Sequence, residues 1–265
     1  MADNWIQVAG EALKLPGLLV EIYGDAAKPG VKQVGKALET VLGLGNTILW
    51  PVTWANERSR IYLEKNLENY RRKLEAIPFE RISEVSPEIG VPVAEKLAYV
   101  RDEKLSELYT ALLAKASCKD TLEFAHPSFV NVINNLSPDE ALLLEYFIKH
   151  ADLIFITAKW VDPKTHTYSF AGQLLLDPNR TTGLVYPRNI PAYLSNLSGL
   201  GLVSIHEDRF VSEQAPYANY EEVEKHWKAV LPTVNDNFPE RTMKIDRGVI
   251  CSTEFGRQFI RACHT

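Results

Sequence analysis

The sequence predicts a mainly α-helical protein, with a helical N-terminal region over residues 1–136 and a winged-helix-like α+β module over residues 137–265. Two observations predict this organisation. Apolar residues recur at helical spacing through the N-terminal part. The C-terminal part shows the order helix, helix, strand, turn, strand and helix, which is typical of a winged helix.

Residues 57–77 carry the longest helical pattern, in which apolar residues recur mostly at alternating four- and three-residue steps between charged ones. This pattern predicts a long amphipathic helix with a narrow apolar seam, closed by Pro78. The predicted seam consists of Ile61, Leu63, Leu67, Tyr70, Leu74 and Ile77. A proline-bearing connector is expected next, before helical patterns resume at residues 93–100 and 105–116.

The clearest local signal is the run from Ser137 to Glu140, which includes Pro138. A serine followed three residues later by glutamate predicts a capping box, and proline suits the first helical position. After this helix, residues 153–161 and 167–176 are rich in β-branched and aromatic residues and predict a strand and its return strand. Their alanine- and leucine-rich pieces leave helices open as the alternative.

The wing is predicted from a strand at residues 202–205, a turn at 206–209 and a partner strand at 210–211. A DNA-binding winged helix would place basic and amide side chains in the major groove. The candidate helix at residues 188–196 offers one arginine and two asparagines, and the turn carries Glu207 and Asp208. Because acidic residues at a wing repel phosphates, nucleic acid is not an expected partner.

Composition places the 265-residue chain among ordinary globular proteins, with 46% hydrophobic and 24% charged residues. The formal charge of −5 gives no overall basic excess for nucleic acid. The cysteines, Cys118, Cys251 and Cys263, are widely spaced, and the N-terminus lacks a secretory signal. We therefore expect free thiols in the cytoplasm, with no metal site and no cofactor.

Residues 31–55 form a glycine-rich segment of low charge, and no ionisable side chain occurs from Thr40 to Asn56. One interpretation is a buried central helix. The alternative is a switch that exposes the segment to a membrane or a partner, since tryptophans suit a membrane interface and glycines allow close helix packing or movement. The candidate interaction or switch residues are Gly35, Gly43, Gly45, Trp50 and Trp54.

A second candidate is the run His126-Pro127-Ser128-Phe129. It is interpreted as the start of a helix, with His126 near the cap, Pro127 in the first turn and Phe129 in the core. The alternative makes His126 a general base or Ser128 a nucleophile beside it, but no orienting carboxylate is apparent. No phosphate loop, dinucleotide fingerprint or nucleophile elbow occurs in the sequence, so no catalytic residues are assigned.

Three stretches of the sequence belong together: Lys28–Leu38 with Val41–Leu44, the stretch from Leu113 through Ala125-His126-Pro127-Ser128-Phe129 to Asp139, and the ending Thr253–Cys263. In this order they resemble the abortive infection alpha family of bacteria. Each motif is modest, but their order and spacing make the combination specific.

The resemblance implies a mostly helical bacterial protein associated with defence against bacteriophage, and it implies no known reaction. Our leading interpretation is a non-enzymatic antiphage protein that acts through protein–protein contacts and ends in growth arrest or death of the infected cell. A protein partner or self-association is expected, with a phage component as a candidate trigger. The expected location is cytoplasmic, with peripheral attachment to the inner membrane as the alternative. The other functional alternatives are a membrane-active effector that exposes residues 31–55 and a nucleic-acid-binding regulator.

Overall fold

The structure is a computed structural model that describes Ala37 and residues 57–150, 152–212, 219–233 and 235–264. The described part of residues 57–264 contains eight α-helices and a four-stranded antiparallel sheet, so the fold is α+β. The chain divides into two compact units. The first runs to Leu136 and takes in the residues from Gln258 onward, and the second is Ser137–Arg257.

The first unit is helical in its described residues. Short 3-10 turns lie at Phe79–Arg81 and Leu122–Phe124. The helices before Leu136 are α1 (Glu57–Glu75), α2 (Pro87–Leu97), α3 (Glu103–Ala116) and α4 (Ser128–Asn134). Helix α1 packs mainly on α3, and buried leucines and aromatic side chains fill the core.

The long amphipathic helix predicted over residues 57–77 is confirmed as α1. It ends at Glu75 because Pro78, three residues on, cannot continue it. Four of the six predicted seam residues are buried, namely Leu63, Leu67, Tyr70 and Leu74. Ile61 is 54% exposed, since a residue two positions before Leu63 points to another side of a helix with 3.6 residues per turn.

The predicted connector after Pro78 is shorter than expected and ends before residue 93, because α2 already begins at Pro87 and contains Pro92. Pro87 occupies the first turn, where a missing amide proton costs nothing. Pro92 is tolerated one turn later. Helix α3 begins two residues before the predicted start, because the Asp102 carboxylate accepts hydrogen bonds from the amides of Lys104 and Leu105.

The second unit contains the sheet, together with 3-10 turns at Pro178–Arg180 and Pro187–Asn189. Its elements in chain order are α5 (Pro138–Lys149), β1 (Asp152–Val161), β2 (Tyr168–Leu175), α6 (Ile190–Gly199), β3 (Val203–His206), α7 (Tyr220–Val230) and β4 (Thr242–Ser252). Helix α8 (Glu254–Cys263) follows, and its residues from Gln258 belong to the first unit.

The sheet has the strand order β2-β1-β4-β3, and every neighbouring pair is antiparallel. Strand β1 pairs with β4 over ten residues, from Asp152 opposite Cys251 to Val161 opposite Thr242. The predicted return strand is confirmed as β2, which pairs with the other edge of β1. Helix α7 packs on one face, where Tyr220 and Val223 join a buried cluster with residues of β1.

The predicted winged helix is wrong. Strand β3 pairs with β4 and not with residues 210–211, which lie outside the strands, and Phe210 is 65% exposed. Residues 210–211 are too few, and bury too little side-chain area, to stabilise pairing with β3. Strand β4 instead offers eleven residues, and its buried Val249 and Ile250 lie opposite β3. The fold is therefore a curled half-barrel sheet with helices.

Candidate functional site

The candidate switch residues cannot be placed. Gly35, Gly43, Gly45, Trp50 and Trp54 lie outside the described residues. Their role as an interaction or switch segment stays a prediction from the sequence.

The His126 motif lies at the start of α4 in the first unit. The Nδ1 atom of His126 accepts a hydrogen bond of 3.1 Å from the backbone amide of Ser128 and lies 2.7 Å from the Ser128 hydroxyl oxygen. Pro127 has helical backbone angles directly before the helix. Phe129 is buried, and its ring centre lies 5.4 Å from the ring centre of Phe259. In this geometry Nδ1 occupies the place of a capping acceptor at the helix start.

The second unit holds a more elaborate polar centre at the N-terminus of α5. The capping box predicted from Ser137 and Glu140 is confirmed: each side chain accepts the backbone amide of the other residue. Glu140 also accepts a hydrogen bond of 2.7 Å from the side-chain amide of Asn196 on α6. Both carboxylate oxygens of this buried glutamate are therefore used.

Asp139, which is only 4% exposed, accepts three hydrogen bonds. The backbone amides of Val185 and Tyr186 donate to Oδ1 and Oδ2, each at 2.8 Å, and the hydroxyl of Tyr193 donates to Oδ2 at 3.0 Å. Burial alone would raise the pKa of Asp139, but these three hydrogen bonds hold its pKa below the usual range. The carboxylate is thus ionised and also benefits from the positive end of the α5 dipole.

The segment that Asp139 holds is the loop between β2 and α6, and we call residues 181–189 the contact loop. Although two of its backbone amides are fixed, its side chains point outward: Val185 is 67% exposed and Tyr186 is 64% exposed. Gly183, with φ of +93°, lies beside Leu142 of α5. The loop therefore presents large apolar side chains on a constrained backbone.

None of the residues Asp139, Val185, Tyr186 and Tyr193 is predicted from the sequence as a site residue. Asp139 lies inside the recognised capping box, where an acidic first turn already explains it. Its partners lie 46, 47 and 54 residues away along the chain. No local spacing pattern connects such distant positions.

The described residues show neither a cluster of metal ligands nor a membrane-spanning helix. These residues contain no group of three or more His, Cys, Asp or Glu side chains that could hold a metal ion. In the same part of the chain, no helix combines the length and the apolar character needed to cross a membrane. The three cysteines are free thiols, and burial raises the pKa of Cys251 to about 11.

Comparison with known proteins gives a family match and a solved structure with limited similarity. No curated protein matches the chain. A solved structure of an uncharacterized protein from the hydrocarbon-degrading marine bacterium Alcanivorax borkumensis SK2 is 17% identical, with 56% of this chain and 96% of that chain covered and a TM-score of 0.30. The abortive infection alpha family matches residues 62–263, which is most of the sequence, and the chain therefore belongs to that family.

Proposed function

We propose that this protein is a non-enzymatic abortive infection protein, and that it acts by binding another protein through the contact loop. Membership in the abortive infection alpha family supports the defence role. The observation that carries the contact is the pair of exposed side chains, Val185 and Tyr186, on a backbone fixed by one buried carboxylate.

The hydrogen bonds between Asp139 and the contact loop favour a role of the loop in binding. A buried carboxylate is costly to desolvate unless hydrogen bonds compensate it, and here two of the three compensating donors are amides of the loop itself. A loop ordered before binding loses less conformational entropy when a partner docks. Tyrosine adds contact area with only two side-chain torsions, which explains its enrichment at protein interfaces.

The test is a plaque assay on hosts that express the wild-type chain or a variant. We expect Val185→Asp to abolish protection, because it would place a charge in a desolvated interface. The matched control is Val230→Asp, since Val230 at the end of α7 is similarly exposed at 59%. Both variants should match the wild type in cellular abundance and melting temperature.

Two results would contradict the proposal. If the Val185→Asp variant protects as well as the wild type, the contact loop is not the interface. If the wild-type chain leaves plating unchanged across a broad phage panel, the defence role itself fails.

A further inference from the structure

Strand β2 carries two exposed aromatic side chains at one edge of the sheet. Tyr168 is 54% exposed and Phe170 is 45% exposed. Because they are two positions apart on a strand, they lie on the same face, and their rings meet edge-on at 5.4 Å. Exposed aromatic rings on a sheet provide flat surfaces on which a planar ligand can stack.

Cationic side chains lie on this same face. The Lys159 ammonium lies 4.9 Å from the Tyr168 ring centre and 5.8 Å from the Phe170 ring centre. Lys159 and Lys244 both bind Asp246, with N–O distances of 3.0 Å and 2.9 Å. We call these five residues the aromatic–lysine face.

The five residues of the aromatic–lysine face have a net charge of +1, because two lysines share one carboxylate. The hydrogen bond to Asp246 raises the pKa of Lys159 and keeps its ammonium charged. Glu207, the residue after β3, also acts on Lys159 and reduces the local positive potential. Lys244 remains 66% exposed and is the cation most accessible to a ligand.

We propose that the aromatic–lysine face binds single-stranded nucleic acid, with bases stacked on Tyr168 and Phe170 and phosphates near Lys244. Sheet-borne aromatics beside basic residues are the combination by which proteins bind single strands. A duplex fits less well, because its bases are already stacked and paired. The inference is independent of the contact loop.

The sequence-based expectation against nucleic acid rested on the overall charge of −5, on residues 188–196 and on the acidic pair Glu207 and Asp208 in a wing that does not form. Of these, Glu207 also acts electrostatically on Lys159. The aromatic–lysine face is built instead by the β1–β2 hairpin and the start of β4. The net charge of only +1 implies few phosphate contacts and therefore a shallow dependence on salt.

The test is fluorescence anisotropy with the full chain at 50 mM salt. The probes are a labelled 12-nucleotide oligo(U), a labelled 12-nucleotide oligo(dT) and a 12-base-pair duplex. We expect both single strands to bind more tightly than the duplex. A preference for oligo(U) would assign RNA as the natural ligand, and a preference for oligo(dT) would assign DNA.

Substitutions distinguish the contribution of aromatic stacking to the affinity from the contribution of charge. Tyr168→Leu and Phe170→Leu should each weaken binding about tenfold, whereas Tyr168→Phe should retain it. Lys244→Gln should reduce the slope of log affinity against log salt by about 0.7. The matched controls are Phe210→Leu and Lys225→Gln, which alter exposed residues outside this face and should bind like the wild type.

Two results would contradict the proposal that the aromatic–lysine face binds single strands. Absence of binding to both single strands at 100 µM protein would overturn the proposal. So would unchanged binding by the correctly folded Tyr168→Leu and Phe170→Leu variants, with folding judged by circular dichroism. Neither result would affect the plaque assay on Val185, so the two proposals fail separately.

Discussion

The hydroxyl of Tyr193 donates a hydrogen bond of 3.0 Å to Oδ2 of Asp139 and links α6 to the first turn of α5. The same carboxylate accepts the backbone amides of Val185 and Tyr186. One buried acidic group therefore fixes both a neighbouring helix and the contact loop. Stability and presentation of the loop should respond together when this group is changed.

Replacing Asp139 by asparagine should lower the free energy of unfolding by about 2–4 kcal/mol. Asparagine keeps one acceptor oxygen but turns its amide group toward an amide that also donates, so at least one hydrogen bond is lost. Urea unfolding at pH 7 measures the effect. The conservative control is Tyr193→Phe, which removes the hydrogen bond to Asp139 and the one between Tyr193 and Asn189, and should cost about 1–2 kcal/mol. An Asp139→Asn variant as stable as the wild type would show that the hydrogen bonds contribute nothing.

The stabilisation by Asp139 should also depend on pH. Because the folded-state pKa lies below the unfolded value of about 3.9, the contribution is complete above that value and is lost as pH falls through the folded pKa. The difference in unfolding free energy between the wild type and Asp139→Asn should therefore shrink between pH 6 and pH 3. Urea unfolding at pH 6, 4 and 3 measures it. A difference that stays constant over this range would contradict the pKa assignment.

Local signals predicted much of the fold. Helix α1 follows from apolar spacing, the start of α5 from its capping box and the β1–β2 hairpin from β-branched and aromatic runs around a turn. The pairing of β3 could not be predicted in this way, because β4 begins at Thr242, long after β3 ends at His206. Residues 210–211 lie closer to β3 along the sequence. Strand β3 nevertheless pairs with β4, whose Val249 and Ile250 are buried opposite it.

The start of β4 was also missed, although its signal is present. Met243 and Ile245 alternate with Lys244 and Asp246, which is the two-residue period of a strand with one polar face. The apolar end of this strand, from Gly248 to Cys251, is a short apolar run that indicates a strand more plainly. The candidate sites depend on such long-range pairings. Lys159 meets Asp246 only because β1 and β4 are neighbours in the sheet.

His126→Ala should leave phage protection unchanged while lowering stability by about 0.5–1 kcal/mol. The reason is that His126 supplies an acceptor for the Ser128 amide at the start of α4. Plaque counts and urea unfolding are the two measurements. Ser128→Ala is the companion variant, since a serine nucleophile activated by histidine would need both residues. Loss of protection in both variants, with stability intact, would favour the catalytic alternative.

Gly256→Ala should destabilise the second unit by about 3 kcal/mol, because a Cβ at this position would lie 2.0 Å from the carbonyl oxygen of Leu202. The obstacle is backbone, so it cannot rotate away. The start of α8 is also bound in place there: the hydroxyl of Thr253 donates to the Gly201 carbonyl at 2.5 Å and accepts the Gly256 amide at 2.8 Å. Room for a methyl group could be made only by shifting the helix and weakening these bonds.

The matched control is Gly199→Ala at the end of α6, where an added Cβ would meet nothing within 4 Å. Alanine is favoured over glycine in a helix, so this variant should be unchanged or more stable by up to about 1 kcal/mol. Denaturant unfolding of both variants beside the wild type measures the contrast. If Gly256→Ala unfolds at the wild-type midpoint, the close approach of α8 to Leu202 is wrong. If Gly199→Ala loses as much stability as Gly256→Ala, the effect belongs to glycine replacement in general and not to this contact.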